Sequence, residues 1–311
     1  MQISDLIDCH KRIAPYIHRT PVLTSRILNK LSGVDLYFKC ENFQRIGAFK
    51  MRGATNAILQ LSQEQKRKGV VTHSSGNFAQ ALALAAQNLD IKAYIIMPSN
   101  ASQVKKNAVK GYGGEIIECE PTLIARETSA KLIEDKKGAT FIHPYDNTEV
   151  IIGQSTACIE LLEDYPALDA VFAPVGGGGL IAGTALAAHF YSKKCKVYGG
   201  EPYQVDDAYR SIKSGKIESN NNADTIADGL KTCLGTITFP IIQQYVQDII
   251  RVTEDEIIAA MKLIWERMKI VVEPSSAVAL AALLKGKEKF SNKKVGIILS
   301  GGNIDLGELP F

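Results

Sequence analysis

Three turns rich in glycine, serine and asparagine, and one lysine set among small and apolar residues, carry the side chains best suited to chemistry. Gly176, Gly177, Gly178 and Gly179 follow an apolar run and precede Leu180-Ile-Ala-Gly, a helix-like start. Glycines there let a backbone approach an anion closely, and a helix N-terminus adds free N–H groups and a positive dipole end. The pattern reads as a phosphate cup. It is not a Walker loop, since no Lys-Ser/Thr follows, and its spacing is not G-x-G-x-x-G. Ser74-Ser75-Gly76-Asn77 lies at the same kind of junction, where hydroxyls, an amide and free N–H groups suit a carboxylate. Taken alone, an ordinary helix cap explains that segment equally well. Ser300-Gly301-Gly302-Asn303 closes the last apolar run. In Gly47-Ala48-Phe49-Lys50-Met51-Arg52-Gly53-Ala54, desolvation lowers the pKa of Lys50 and frees its amine for Schiff-base chemistry.

These turns need a scaffold that brings distant segments together. Strand-like runs at 36–39, 70–73, 92–97, 115–118, 170–175, 196–199 and 294–299 alternate with helical patterns at 78–88, 180–191 and 254–269. Such alternation predicts an α/β fold with largely parallel sheets. In parallel sheets the carboxyl ends of the strands face the ligand crevice, so all three turns are placed to line one site. Thr253 and Glu256 form a capping-box signature ahead of Ile257, Ile258, Met261, Ile264, Trp265 and Met268, which recur on one helical face and place Trp265 in the core. The polar stretch 214–224, with Asn220–Asn222, reads as an exposed loop.

A net charge of +3 from 36 basic and 33 acidic residues lacks the footprint of a nucleic-acid binder. Apolar runs are too short and interrupted to cross a bilayer, and the first residues lack a signal-peptide layout, so a cytoplasmic protein is expected. Six scattered cysteines with no C-x-x-C read as reduced thiols.

Taken together and in order, these segments resemble the fold-type II pyridoxal-5′-phosphate (PLP) family, in its serine racemase and serine/threonine dehydratase branch. The resemblance runs through Thr20-Pro-Val-Leu-Thr-Ser25, Phe38-Lys-Cys-Glu-Asn-Phe-Gln44, the Lys50 segment, Ser74-Ser75-Gly76-Asn77 and the glycine run, then Thr225-Ile-Ala-Asp-Gly229, Glu273-Pro274 and Ser300-Gly301-Gly302-Asn303. It implies two lobes, each with a mostly parallel open sheet flanked by helices, and PLP in the cleft between them. Residues 1–68 and 147–311 would form the large PLP-binding domain, and 69–146 a small mobile domain that closes on substrate. Lys50 resembles the Schiff-base lysine, with Phe49 against the cofactor ring and Asn77 at its 3-oxygen. Gly176 to Gly179 and Leu180 resemble the phosphate contacts, and Ser300 the hydroxyl facing the ring nitrogen. A serine cannot keep that nitrogen protonated as an aspartate would, which favours prompt reprotonation or β-elimination over transamination.

Racemisation needs an acid/base on each face of the carbanion. By resemblance Lys50 serves one face and Ser75 the other, with Ser74, Asn77, Arg126 and Thr232 on the substrate side. Glu201, Val205 and Asp207 resemble a divalent-cation site whose oxygen donors suit Mg²⁺ or Ca²⁺. Gln80, Tyr112, Lys269 and Asn303 match positions that contact activating ATP between subunits of a homodimer. The expected activity is interconversion of L- and D-serine with accompanying elimination of serine or threonine. The alternative is a dehydratase of serine, threonine or 3-hydroxyaspartate with little racemisation. A cysteine synthase-like β-replacement enzyme fits the Lys50 and Ser300 segments poorly, and a cofactor-free binder leaves Lys50, Ser75, Asn77 and Ser300 without a purpose. Three positions depart from the usual pattern: Phe78 stands for histidine, Ala48 for serine and Ser155 for glycine.

Overall fold

Runs rich in Val, Ile, Phe and Tyr build two sheets in the computed structural model, which describes residues 1–220 and 222–311. Ten strands are formed among the described residues: β1 (Val22–Leu23), β2 (Asp35–Cys40), β3 (Val70–His73), β4 (Ala93–Pro98), β5 (Glu115–Cys119), β6 (Thr140–Phe141), β7 (Ala170–Pro174), β8 (Lys196–Pro202), β9 (Val246–Val252) and β10 (Lys294–Leu299). One sheet has the order β1-β2-β10-β7-β8-β9 and the other β5-β4-β3-β6. Every pairing is parallel except that of β1 with β2. Parallel sheets are covered by helices on both faces, and every residue of β4 and β7 is accordingly buried.

The three turns leave the carboxyl ends of β3, β7 and β10, the edge at which open α/β sheets hold ligands. All strands of the four-stranded sheet fall between residues 70 and 141. Its core nevertheless draws on other parts of the chain. Cys9 and Ile13 from helix Ile3–Ile13, Met51 and Ile58 from helix Lys50–Leu59, and Val150 pack with Val70, Phe78, Leu82 and Ile95. The helix that begins at Lys50 thereby joins the core of this sheet.

The helix Glu254–Met268 starts with the expected capping box. Trp265 lies at the core edge, half-buried, because its indole N–H reaches out to the Val272 carbonyl at 3.0 Å and its ring meets Phe311 edge-on. Asn220 belongs to the expected 220–222 loop and bonds to Asp207 and Arg210; Asn221 lies outside the described residues. All six cysteines are free thiols, and no described helix is long and apolar enough to cross a membrane.

A buried ion network anchors the lysine helix. Arg52, two residues from Lys50, grips both oxygens of Glu41 at 2.7 and 2.8 Å and both oxygens of Glu160 at 2.7 and 2.8 Å. Lys39 adds a third contact to Glu160 at 2.7 Å. The four side chains are at most 2% exposed. Burial disfavours the Glu160 charge, but the Arg52 and Lys39 cations outweigh that penalty and hold its pKa below the ordinary carboxylate value.

Candidate active site

Lys50 opens its helix, and Phe49 ahead of it donates its N–H to the Ser300 carbonyl at 3.0 Å. The β10 turn is therefore stitched to the lysine segment, and an Ala48–Gly301 bridge adds a second stitch. The Lys50 amine donates to the Pro144 carbonyl at 2.9 Å and stands 5.1 and 5.6 Å from the ring centres of Phe49 and Phe78. Burial among these groups pulls its pKa down to about 8, against a counter-pull from the Glu273 charge. Phe78 directly follows Asn77, so the serine turn lies alongside the amine.

Asn77 donates to both oxygens of Glu273 at 3.0 and 3.1 Å and accepts from Asn303 at 2.8 Å. Asn303 in turn donates to the Ile46 carbonyl at 2.7 Å. Sequence reasoning quoted Glu273 without a role, yet it is the buried acid on which Asn77 is oriented. Burial, helped by the nearby Asp228 charge, lifts its pKa to about 7. A raised folded-state pKa contributes stability that is present below the unfolded value and lost as pH rises through the folded one. The apo protein is thus expected to lose up to ~3 kcal/mol between about pH 4.5 and 8, and Glu273→Gln to flatten that slope, read by thermal denaturation across this range.

Each glycine of the run is pressed from behind by protein. A Cβ on Gly176 would meet the backbone of Gly229 and Leu230, one on Gly177 the Tyr145 ring, and one on Gly179 the Tyr145 backbone and Cβ. Gly178 holds a φ of +89° and faces Ile242, Leu234 and Thr238. The glycines are therefore required by packing as well as by any approaching anion, a source that the sequence reading did not distinguish. On the other side, the N–H groups of Gly176, Gly177 and Gly178 donate to no protein acceptor among the described residues, and Gly179 and Leu180 begin the helix Gly179–Tyr191. This cradle of free donors fits a phosphate.

Ser74 and Ser75 are half-buried; Ser74 accepts from the Gly76 N–H at 3.3 Å, and Ser75 makes no side-chain bond among the described residues. Ser300 is 3% exposed, and its hydroxyl makes no hydrogen bond among the described residues. Arg126, in the helix Leu123–Lys137, has a buried Nε with no partner among the described residues. Its charge is felt by His73, next to Ser74, which places it near the serine turn. Thr232 is exposed and lies beside the Tyr145 hydroxyl. His143 accepts the Asp146 N–H at Nδ1 (2.9 Å), and burial drives its pKa to about 4, leaving a neutral ring beside His73. Of the departures, Ser155 turns its hydroxyl onto the Ile152 carbonyl at 2.6 Å, satisfied within its own helix.

Glu201 accepts from the N–H groups of Ala208 and Tyr209, both at 2.9 Å, and Asp207 from Asn220 at 2.6 Å and Leu234 N–H at 3.1 Å. Both carboxylates are buried with Val205 between them in sequence. Burial first, then the Asp207 charge, lifts the Glu201 pKa well above its usual value, and burial takes Asp207 to about 6. Two desolvated, mutually repelling carboxylates fit a divalent cation, although no group of three or more His, Cys, Asp or Glu converges among the described residues. Gln80 is buried one turn along from Asn77, and Tyr112 caps the helix Gln103–Gly111. Lys269 is exposed at the end of its helix, and no hydrogen bond or ion pair among the described residues joins it to Gln80, Tyr112 or Asn303.

A family model for pyridoxal-phosphate dependent enzymes matches residues 13–301. The chain belongs to this family. Among PLP-dependent relatives it is 52% identical over 311 residues to the serine racemase of Dictyostelium discoideum, covering 99% of this chain and 96% of that protein. It is 48% identical over 307 residues to the beta-hydroxyaspartate dehydratase of Paracoccus denitrificans, covering 99% and 98%. The crystal structure of the Dictyostelium enzyme superposes with a TM-score of 0.94 over 98% of this chain and 99% of that one.

Proposed function

We propose that this PLP-dependent enzyme interconverts L- and D-serine by proton transfer on two faces of the α-carbon, with accompanying β-elimination of serine and threonine to a 2-oxo acid and ammonia. The observation that carries the reading is the Lys50 amine, held on the Pro144 carbonyl between two phenyl rings with its pKa near 8, beside the serine turn. PLP bound there supplies the electron withdrawal that acidifies the α-carbon. Lys50 moves the α-proton on one face, and the unengaged Ser75 hydroxyl moves it on the other. Free N–H groups at the serine turn and the unpartnered Nε of Arg126 hold the substrate carboxylate. Asn77, oriented by Glu273 and Asn303, and Ser300 line the cofactor side, and Gly176 to Leu180 hold the phosphate. Elimination results when the β-hydroxyl takes up a proton and departs as water before the α-carbon is reprotonated; the released enamine then reacts with water to give the 2-oxo acid and ammonia.

Closure of residues 69–146 on the large domain brings Arg126 and the serine turn onto the substrate. The Glu201–Val205–Asp207 loop holds Mg²⁺ or Ca²⁺, and Gln80, Tyr112, Lys269 and Asn303 contribute to an ATP site in a homodimer. The six free cysteines suit a reducing cytoplasm. Similarity to the Paracoccus dehydratase supports the second reading, in which elimination from 3-hydroxyaspartate or serine dominates. Ser75→Ala separates the two. It is expected to abolish D-serine formation from L-serine while elimination from at least one enantiomer persists, as followed by chiral chromatography beside a coupled pyruvate assay. Undiminished D-serine in that variant would remove Ser75 from the mechanism.

A further inference from the structure

Tyr145 lies in the segment that leaves β6 and enters the helix Thr148–Asp164, and this short stretch touches both ends of the site. Its neighbour Pro144 supplies the carbonyl that holds the Lys50 amine at 2.9 Å. Its own ring occupies the space behind the glycine run: a Cβ on Gly177 would fall 2.4 Å from the ring edge, and one on Gly179 would fall 3.0 Å from the Tyr145 Cβ. The ring is also clasped edge-on by His143 at 4.5 Å between centres. Asp146 pins the segment from the other side, accepting the N–H groups of Thr236, Ile237 and Thr238 at 2.9, 2.8 and 3.1 Å. Thr238 then returns its hydroxyl to the Gly177 carbonyl at 2.9 Å.

We propose that Tyr145 is a positioning residue, a spacer that fixes the separation between the Lys50 amine and the N–H cradle of residues 176–180. The proposal rests on the assignment of those two features to the cofactor. A ligand that carries a phosphate and a reactive carbonyl carbon on one rigid ring binds both ends only when that separation is right, so the aromatic wedge acts on affinity as well as on rate. It also explains the absence of a side chain at Gly177, whose Cα faces the wedge.

The test uses the full chain, PLP as the probe, fluorescence titration of the apo protein, and the ³¹P resonance of the holoenzyme. Tyr145→Phe keeps the wedge and is expected to bind PLP within about threefold of wild type, whereas Tyr145→Ala weakens binding at least about tenfold and shifts the ³¹P line. Gly177→Ala alone is expected to weaken binding by a similar factor, and adding Tyr145→Ala to it to cost less than about threefold more, since both changes disturb the same spacing. A purely structural tyrosine would lower the apo melting temperature without moving the ³¹P line or weakening PLP binding. If Tyr145→Ala does not fold, Tyr145→Leu carries the same comparison. Wild-type affinity and an unchanged ³¹P line in the truncated variant, or fully additive losses in the pair, would overturn the spacer while leaving the cofactor site in place. Failure of wild type itself to take up PLP on Lys50 would overturn both.

Discussion

Lys50→Ala is expected to lower both racemisation and elimination of serine by at least about 10³-fold, because it removes the amine assigned to one face of the α-carbon. Borohydride reduction followed by peptide mass spectrometry should fix PLP to Lys50 in the wild type and to no residue in the variant. The size of the effect follows from the surroundings. The amine sits at the junction of four segments, bonded to Pro144, flanked by Phe49 and Phe78, and one residue from the N–H that engages Ser300. Among the described residues no other lysine bonds to Pro144 or stands over the Phe49 and Phe78 rings. With a pKa near 8, the neutral amine is gained as pH rises, so the proton-transfer rate is expected to climb between about pH 7 and 9 and then level off. Glu273→Gln removes the anion that supports the Lys50 cation and should move that rise to lower pH.

Arg52→Met is the second large effect, and it concerns stability. It leaves Glu160 with Lys39 and Glu41 with the Thr20 hydroxyl but no cation bonded to it among the described residues, and a buried pair broken by removal of one partner typically loses about 3–5 kcal/mol. Urea denaturation should show a marked fall in midpoint, smaller for Arg52→Lys, which keeps the charge but not the bidentate fork. Because Arg52 shares the first turn of the helix with Lys50, the lysine variant should also show weakened PLP uptake before it shows unfolding. A midpoint unchanged in Arg52→Met would mean that the network contributes specificity rather than stability.

The positions legible in the sequence were those whose local chemistry announces itself. Glycine and serine turns between an apolar run and a helix read as strand-to-helix junctions, and they stand at the carboxyl ends of β3, β7 and β10. The parallel α/β layering was equally readable, since buried parallel strands are continuous apolar runs. What escaped notice lacked such a signal. The strand β9, Val-Gln-Asp-Ile-Ile-Arg-Val, mixes polarity as an edge strand does and shifts register against β8. The helix Thr148–Asp164 is buried all round from Val150 to Leu162, so it shows little amphipathic period. Pro144 acts through its carbonyl, which no side chain advertises. Tyr145 and Glu273 matter through contacts with residues far away in the chain, and Lys39, Glu41 and Arg52 sit in motifs where charge suggests chemistry but burial shows an anchor.

The most direct measurement incubates the purified, PLP-loaded protein with L-serine and Mg²⁺, with and without ATP, and follows D-serine by chiral chromatography and pyruvate by a coupled assay. The proposed function predicts D-serine accumulating alongside pyruvate. Pyruvate alone, with no D-serine at any time, would contradict racemisation and leave a dehydratase in its place.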